Sequence, residues 1–69
     1  MIVIRFSSVD GAIWKRKFSS EEKARAAVLE QLGPVELGST YAVSGDGICK
    51  AEIATGDITM RKLMQEVSS

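Results

Sequence analysis

IVIRFSSVDGAIWKRKF, residues 2–18, is the stretch from which the rest of the chain is read. Ile2, Ile4 and Phe6 alternate with Val3, Arg5 and Ser7, the two-residue period of a strand with one buried face. Val9-Asp10-Gly11 punctuates that pattern as a turn, and Ala12 to Phe18 resumes it as a second strand. Loop length then sets the register. A two-residue loop, Asp10-Gly11, would place Phe6 opposite Lys15 and Ile4 opposite Lys17, setting apolar groups against charges. A three-residue loop, Val9-Asp10-Gly11, pairs Phe6 with Trp14 and Ile2 with Phe18. It also puts Gly11 at the left-handed position that such loops need. The three-residue loop is expected.

That register divides the Trp14-Lys15-Arg16-Lys17 run between two faces. Trp14 and Phe18 turn toward the core, where the indole N–H needs a partner. Lys15 and Lys17 turn the other way, beside Arg5. Arg16 shares the apolar side. It must reach the sheet rim or pair with an acid such as Glu30 or Glu36, because an unpaired buried charge is very costly.

Downstream, Ser19 with Glu22 three residues on reads as a capping box opening a helix over residues 20–32. Ala24, Ala27, Val28 and Leu32 lie along one stripe of it, and Gly33-Pro34 ends it. Val35-Glu36-Leu37-Gly38 reads as a short connector. Residues 41–53 repeat the hairpin logic: with Gly45-Asp46-Gly47 as a three-residue loop, Val43 faces Cys49 and Tyr41 faces Ala51. Thr55-Gly56-Asp57 then caps a second helix from Ile58 to about Val67, with Met60, Leu63, Met64 and Val67 on one face.

Two copies of one unit emerge. Ser8-Val9-Asp10-Gly11 and Ser44-Gly45-Asp46-Gly47 lie 36 residues apart, each in a hairpin that precedes a helix. Neither hairpin with one helix buries enough apolar area alone. The expected fold is therefore α+β: a two-layer sandwich in ββαββα order, a four-stranded antiparallel sheet with both helices on one face. It is a circular permutation of the ferredoxin-like arrangement, in one domain (1–69) with halves 1–34 and 35–69. In it Ile2, Ile4, Phe6, Trp14, Arg16, Phe18, Tyr41, Val43, Cys49, Ala51 and Ile53 face the helices. Val3, Arg5, Ser7, Ile13, Lys15, Lys17, Ala42, Ile48, Lys50 and Glu52 form the open face.

Composition narrows the function more by exclusion than by signal. The 69 residues are 45% hydrophobic, as in an ordinary globular chain. No apolar run approaches the roughly 18 residues of a membrane span, and Arg5 interrupts the opening strand too early for a signal peptide. One cysteine allows no internal disulfide, so a cytoplasmic protein is expected. Nine basic and nine acidic residues cancel, which removes the net positive footprint of a typical nucleic-acid binder. Residues 1–34 nevertheless hold six basic against four acidic side chains, and the remainder three against five.

Catalytic chemistry finds few carriers. Without histidine there is no imidazole base and no common zinc set, and Cys49, mid-strand, reads as a small core residue. Gly45-Asp46-Gly47 lacks both the ligands of a calcium loop and the lysine of a phosphate loop. Lys62 and Glu66 form an ordinary i, i+4 pair. No enzyme, cofactor or metal is expected.

What remains is an open face mixing apolar and basic groups, together with unpaired sheet edges that no proline interrupts. The expectation is a small non-catalytic protein–protein interaction module: an inhibitor, adaptor or subunit acting through that face or an edge. Arg5, Ile13, Lys15, Lys17, Ile48 and Lys50 are the partner-binding candidates. Edge pairing would equally serve a homodimer. Small neutral proteins of this kind are frequent among accessory genes of phages and plasmids.

A second expectation rests on resemblance. DGAIWKRKFSSEEKARAAV, residues 10–28, is similar to the strand-then-helix pattern in the arm-binding domains of phage integrases. That resemblance implies a DNA-binding domain, and on the open face Arg5, Lys15, Lys17 and Lys50 would supply the phosphate contacts. The Phe18-Ser19-Ser20 start with Glu22 and Ala24 also resembles peptidoglycan-binding SPOR domains. With all four aromatics assigned to the helix side, a base-stacking role on the open face is not expected.

Overall fold

The computed structural model describes residues 1–65. Its elements are β1 (Ile2–Ser8), β2 (Ile13–Phe18), α1 (Glu21–Leu32), β3 (Val35–Leu37), β4 (Tyr41–Ser44), β5 (Cys49–Thr55) and α2 (Met60–Gln65). The strands form one antiparallel sheet in the order β2-β1-β5-β4-β3. An α+β fold with an antiparallel sheet and two helices is what the apolar patterning requires. The sheet has five strands rather than four, however, and the element order is ββαβββα.

The first hairpin has the anticipated register, with Phe6 opposite Trp14 and Ile2 opposite Phe18. Ser8 N–H donates to Ala12 O at 2.9 Å, closing a three-residue loop in which Gly11 takes φ +96°. Phe6 is fully buried and stacks on Trp14, ring centroids 5.7 Å apart. Arg16 reaches the rim: β2 is an edge strand, and the guanidinium lies over the Phe18 ring at 5.2 Å rather than on Glu30 or Glu36. A weakly hydrated guanidinium over a π face keeps its charge near water and needs no carboxylate.

Helix α1 begins one residue later than the capping box implied. Ser20, not Ser19, is the N-cap, its Oγ accepting from Lys23 N–H at 3.2 Å. Gly33 ends the helix at φ +70°, its N–H bonded to Leu29 O. Helix α2 is shorter than expected. Its cap is Thr59, whose Oγ1 accepts from Lys62 N–H at 3.1 Å, rather than Thr55-Gly56-Asp57. Val67, and Glu66 of the expected Lys62 pair, lie outside the described residues. Ala24, Ala27, Val28 and Leu32 from α1 join Met60, Leu63 and Met64 from α2 over Ile2, Ile4, Phe6, Phe18, Ala42 and Ala51 in one core. Arg25 ties the helices together, its Nε donating to Leu63 O at 2.8 Å.

The second half departs most from expectation. Val35, Glu36 and Leu37 are not a connector; they form the fifth strand, paired with Ser44, Val43 and Ala42. The β4–β5 hairpin is also out of the expected register by one residue: Tyr41 pairs with Glu52, Ala42 with Ala51 and Val43 with Lys50. A one-residue slip turns every side chain of β4 to the other face. Ala42 and Ser44 are buried, while Tyr41 and Val43 leave the core for the open face.

The cause lies in the two similar turns. Each aspartate closes its turn in the same way: Ser8 Oγ donates to Asp10 Oδ1, which also accepts from Ala12 N–H at 3.1 Å. Likewise Ser44 Oγ donates to Asp46 Oδ1 at 2.6 Å, and Ile48 N–H donates to the same oxygen at 3.0 Å. The turns stand side by side because β1 and β5 are neighbours. Val9 N–H takes the Ile48 carbonyl at 3.0 Å, the group whose counterpart in the first turn closes the three-residue loop onto Ser8. The second loop therefore spans four residues, 45–48, and Ser44 Oγ accepts from Cys49 N–H at 3.0 Å in compensation.

Candidate functional site

Both helices cover one side of the sheet, so the other side is left open. Across it from the β2 edge lie Ile13, Lys15 and Lys17; then Val3, Arg5 and Ser7 on β1; then Lys50 and Glu52 on β5; then Tyr41 and Val43 on β4; and Glu36 on β3. Of the six sequence-derived candidates, Arg5, Ile13, Lys15, Lys17 and Lys50 stand on this face. Ile48 sits at its end, in the β4–β5 loop, half exposed at 50%. Ala42 does not belong to the face, for the register reason given above.

Charges are arranged unevenly. Glu52 holds two of the four cations: Arg5 Nη2 reaches its Oε1 across the β1–β5 pair at 3.1 Å, and Lys50 Nζ approaches the same oxygen at 3.7 Å. Lys50 also lies over the Tyr41 ring at 4.9 Å. Lys15 and Lys17 have no ion pair among the described residues. The positive potential of the face is thus concentrated at β2.

Tyr41 was missed by sequence reasoning. Its ring covers Gly38, whose N–H donates to Tyr41 O at 2.8 Å across the tight turn joining β3 and β4. A Cβ built on Gly38 would stand 2.6 Å from Cε1 and Cε2 of the ring, so glycine is what lets the ring lie flat there. Not all four aromatics belong to the helix side. Tyr41, however, is three strands from β2, roughly 14 Å at the usual interstrand spacing, and its ring is occupied by Lys50 and Gly38.

One end of the sheet is apolar and exposed. Val9 and Ile13 in and after the first turn are 77% and 67% exposed, and the backbone bond from Val9 to Ile48 holds the two turns together. Asp10 and Asp46 flank these side chains. Hydrogen bonds from Ser8 and then Ala12 hold the Asp10 carboxyl below its ordinary range, and Ser44 and then Ile48 do the same for Asp46. Their oxygens are committed to turn closure.

No other chemistry gathers here. Among the described residues, no three His, Cys, Asp or Glu side chains come together to hold a metal ion. Nor is any helix among them long and apolar enough to cross a membrane. Cys49 is free and half buried against the core. A depression lined by Ile2, Glu21, Asp57 and Ile58 opens at the far end of the sheet, but it holds no pair of groups suited to acid–base or nucleophilic work. Comparison of the chain with protein-family models, with curated proteins and with solved structures finds no match.

Proposed function

We propose that this chain is a small non-catalytic module that binds a partner protein through its open sheet face. One observation carries the reading: exposed apolar side chains, Val9, Ile13 and Ile48, stand at one end of a helix-free sheet face whose β2 edge, continuing from Ile13, is basic through Lys15 and Lys17. Surface leucines or isoleucines scattered singly need no explanation, whereas apolar groups grouped on a rigid, hydrogen-bonded platform mark interfaces. Inhibitor, adaptor and subunit are roles such a module fills by occupying a partner's surface.

DNA binding by the basic face has less support. Arg5 and Lys50 already share Glu52, so Lys15 and Lys17 are left to carry the phosphate contacts. Two such contacts would give weak, sequence-independent affinity.

The test compares Ile13→Asp and Ile48→Asp with Glu30→Lys on the helix side. With a partner isolated from the native host, both isoleucine variants should lose binding and Glu30→Lys should keep it. Binding indifferent to Ile13 and Ile48 would overturn the reading. So would micromolar binding to generic duplex DNA that weakens steeply with salt and vanishes in Lys15→Glu/Lys17→Glu.

A further inference from the structure

We infer that the outer edge of β2 receives an extended acidic segment of the partner as a sixth strand. The inference rests on the protein-binding reading and specifies the chemistry of what is bound.

Hydrogen-bond parity identifies the free groups. In an antiparallel pair, alternate residues direct N–H and C=O toward the partner strand and the others point away. Ser8 N–H bonds Ala12 O on the β2 side, and Val9 N–H bonds Ile48 O on the β5 side. Even-numbered residues of β1 therefore serve β2. Given the register, their partners Trp14, Arg16 and Phe18 bond inward. Ile13, Lys15 and Lys17 direct their backbone groups outward, where no strand follows. Three donors and three acceptors stand at strand spacing along that edge, the template used in β-strand addition.

Charge selects the occupant. Lys15 and Lys17 project to the open face and Arg16 to the other, so an added strand meets cations on both sides. None of the three has an ion pair among the described residues. A second copy of this chain fits poorly: antiparallel pairing of β2 with itself about Arg16 sets Arg16 against Arg16 and Lys15 against Lys17, and like charges directly opposite are destabilising. Carboxylates at those positions reverse the sign. The exposed Ile13 at the other end of the strand favours an apolar residue. An antiparallel partner strand then reads acidic–x–acidic–x–apolar, its acids opposite Lys17 and Lys15.

The probe is a fluorescent capped peptide containing Glu-Thr-Glu-Thr-Val, used with the full chain. Three further peptides serve as controls: lysine in place of glutamate, and N-methylation at each of the two alternating sets of amides. The first peptide should bind, and hydrogen exchange should slow at the amides of Ile13, Lys15 and Lys17 but not of Trp14 and Arg16. The lysine peptide should not bind. N-methylation of the set facing β2 should abolish binding, and N-methylation of the other set should spare it. Lys15→Glu/Lys17→Glu should weaken binding at least about tenfold, with a thermal melt confirming that the variant folds. The peptide controls leave the protein unaltered, so they hold even if that variant does not fold.

No binding of the acidic peptide overturns the inference, as does equal binding of both N-methylated forms, which indicates charge attraction without strand addition. A dimer in light scattering that protects the same three amides overturns it too, by assigning the edge to a second copy. Loss of partner binding on Ile48→Asp is read separately. If that loss occurs while the acidic peptide fails, the open-face reading stands and only the edge assignment falls.

Discussion

Replacing Gly38 by alanine tests whether Tyr41 holds the β3–β4 turn as described. The added Cβ would overlap the ring, standing 2.6 Å from Cε1 and Cε2. The backbone is fixed by the Gly38–Tyr41 hydrogen bond, so the ring is what moves. A displaced ring leaves the Lys50 ammonium, a contact worth about 0.5–1 kcal/mol at an exposed site. It also returns on the order of 50 Å² of apolar surface to water, about 1.2 kcal/mol at 25 cal/mol per Å². Against this, alanine restricts the unfolded chain and restores about 0.4–1 kcal/mol. The net expectation is a loss of about 1 kcal/mol, a fall in Tm of roughly 4–8 °C for a domain this small. Urea and thermal unfolding of Gly38→Ala, Tyr41→Ala and the double variant form the cycle. In the Tyr41→Ala background the ring is absent, so Gly38→Ala should be neutral or slightly stabilising. An equal loss in both backgrounds would refute the ring-on-glycine account and put the strain in the backbone of the turn instead.

Three further outcomes are expected. Ser44→Ala should cost about 1–3 kcal/mol in urea unfolding, because it removes a buried hydroxyl and strips the Cys49 N–H of its acceptor, whereas Ser8→Ala, in the more open turn, should cost less. Asp10 and Asp46 both have lowered folded pKa values, from an ordinary 3.8, so the stability they add is present above that value and is lost as pH falls through the lower folded values. Melts between about pH 5 and pH 2 should show that acid limb, and Asp10→Asn/Asp46→Asn should flatten it. Phe6→Ala opens the centre of the core and should cost about 3–5 kcal/mol, enough to leave much of the chain unfolded at 37 °C by circular dichroism.

The first half of the fold was legible because its signals agree. Alternation in residues 2–6, a glycine at the left-handed loop position and an apolar match across the hairpin all select one register. The second half offered weaker constraints. Val35 and Leu37 flank Glu36 with strand periodicity, but three residues between a helix stop and a glycine are too short to separate a strand from a connector. Small residues misled further: Ala42 and Ser44 are buried, while the larger Tyr41 and Val43 are not, so ranking by size points β4 the wrong way. The deciding interaction, Val9 N–H on the Ile48 carbonyl, joins two turns far apart in sequence and leaves no local trace. At the candidate site, the placement of Arg5, Ile13, Lys15, Lys17 and Lys50 followed from alternation. Their division into cations held by Glu52 and cations left open did not, because it depends on which strands are neighbours.

The seam between β1 and β5 has a consequence for assembly. Its ion pair bridges positions 47 apart in the chain, and it runs through the middle of the sheet, so β1 has no second neighbour until β5 has been synthesised. The early hairpin with its helix must wait, core side up, for the late one to arrive, and closing that long loop is the slow event for a topology of this kind. Chain halves divided at Ser39 should accordingly be unstructured apart and regain the sheet when mixed.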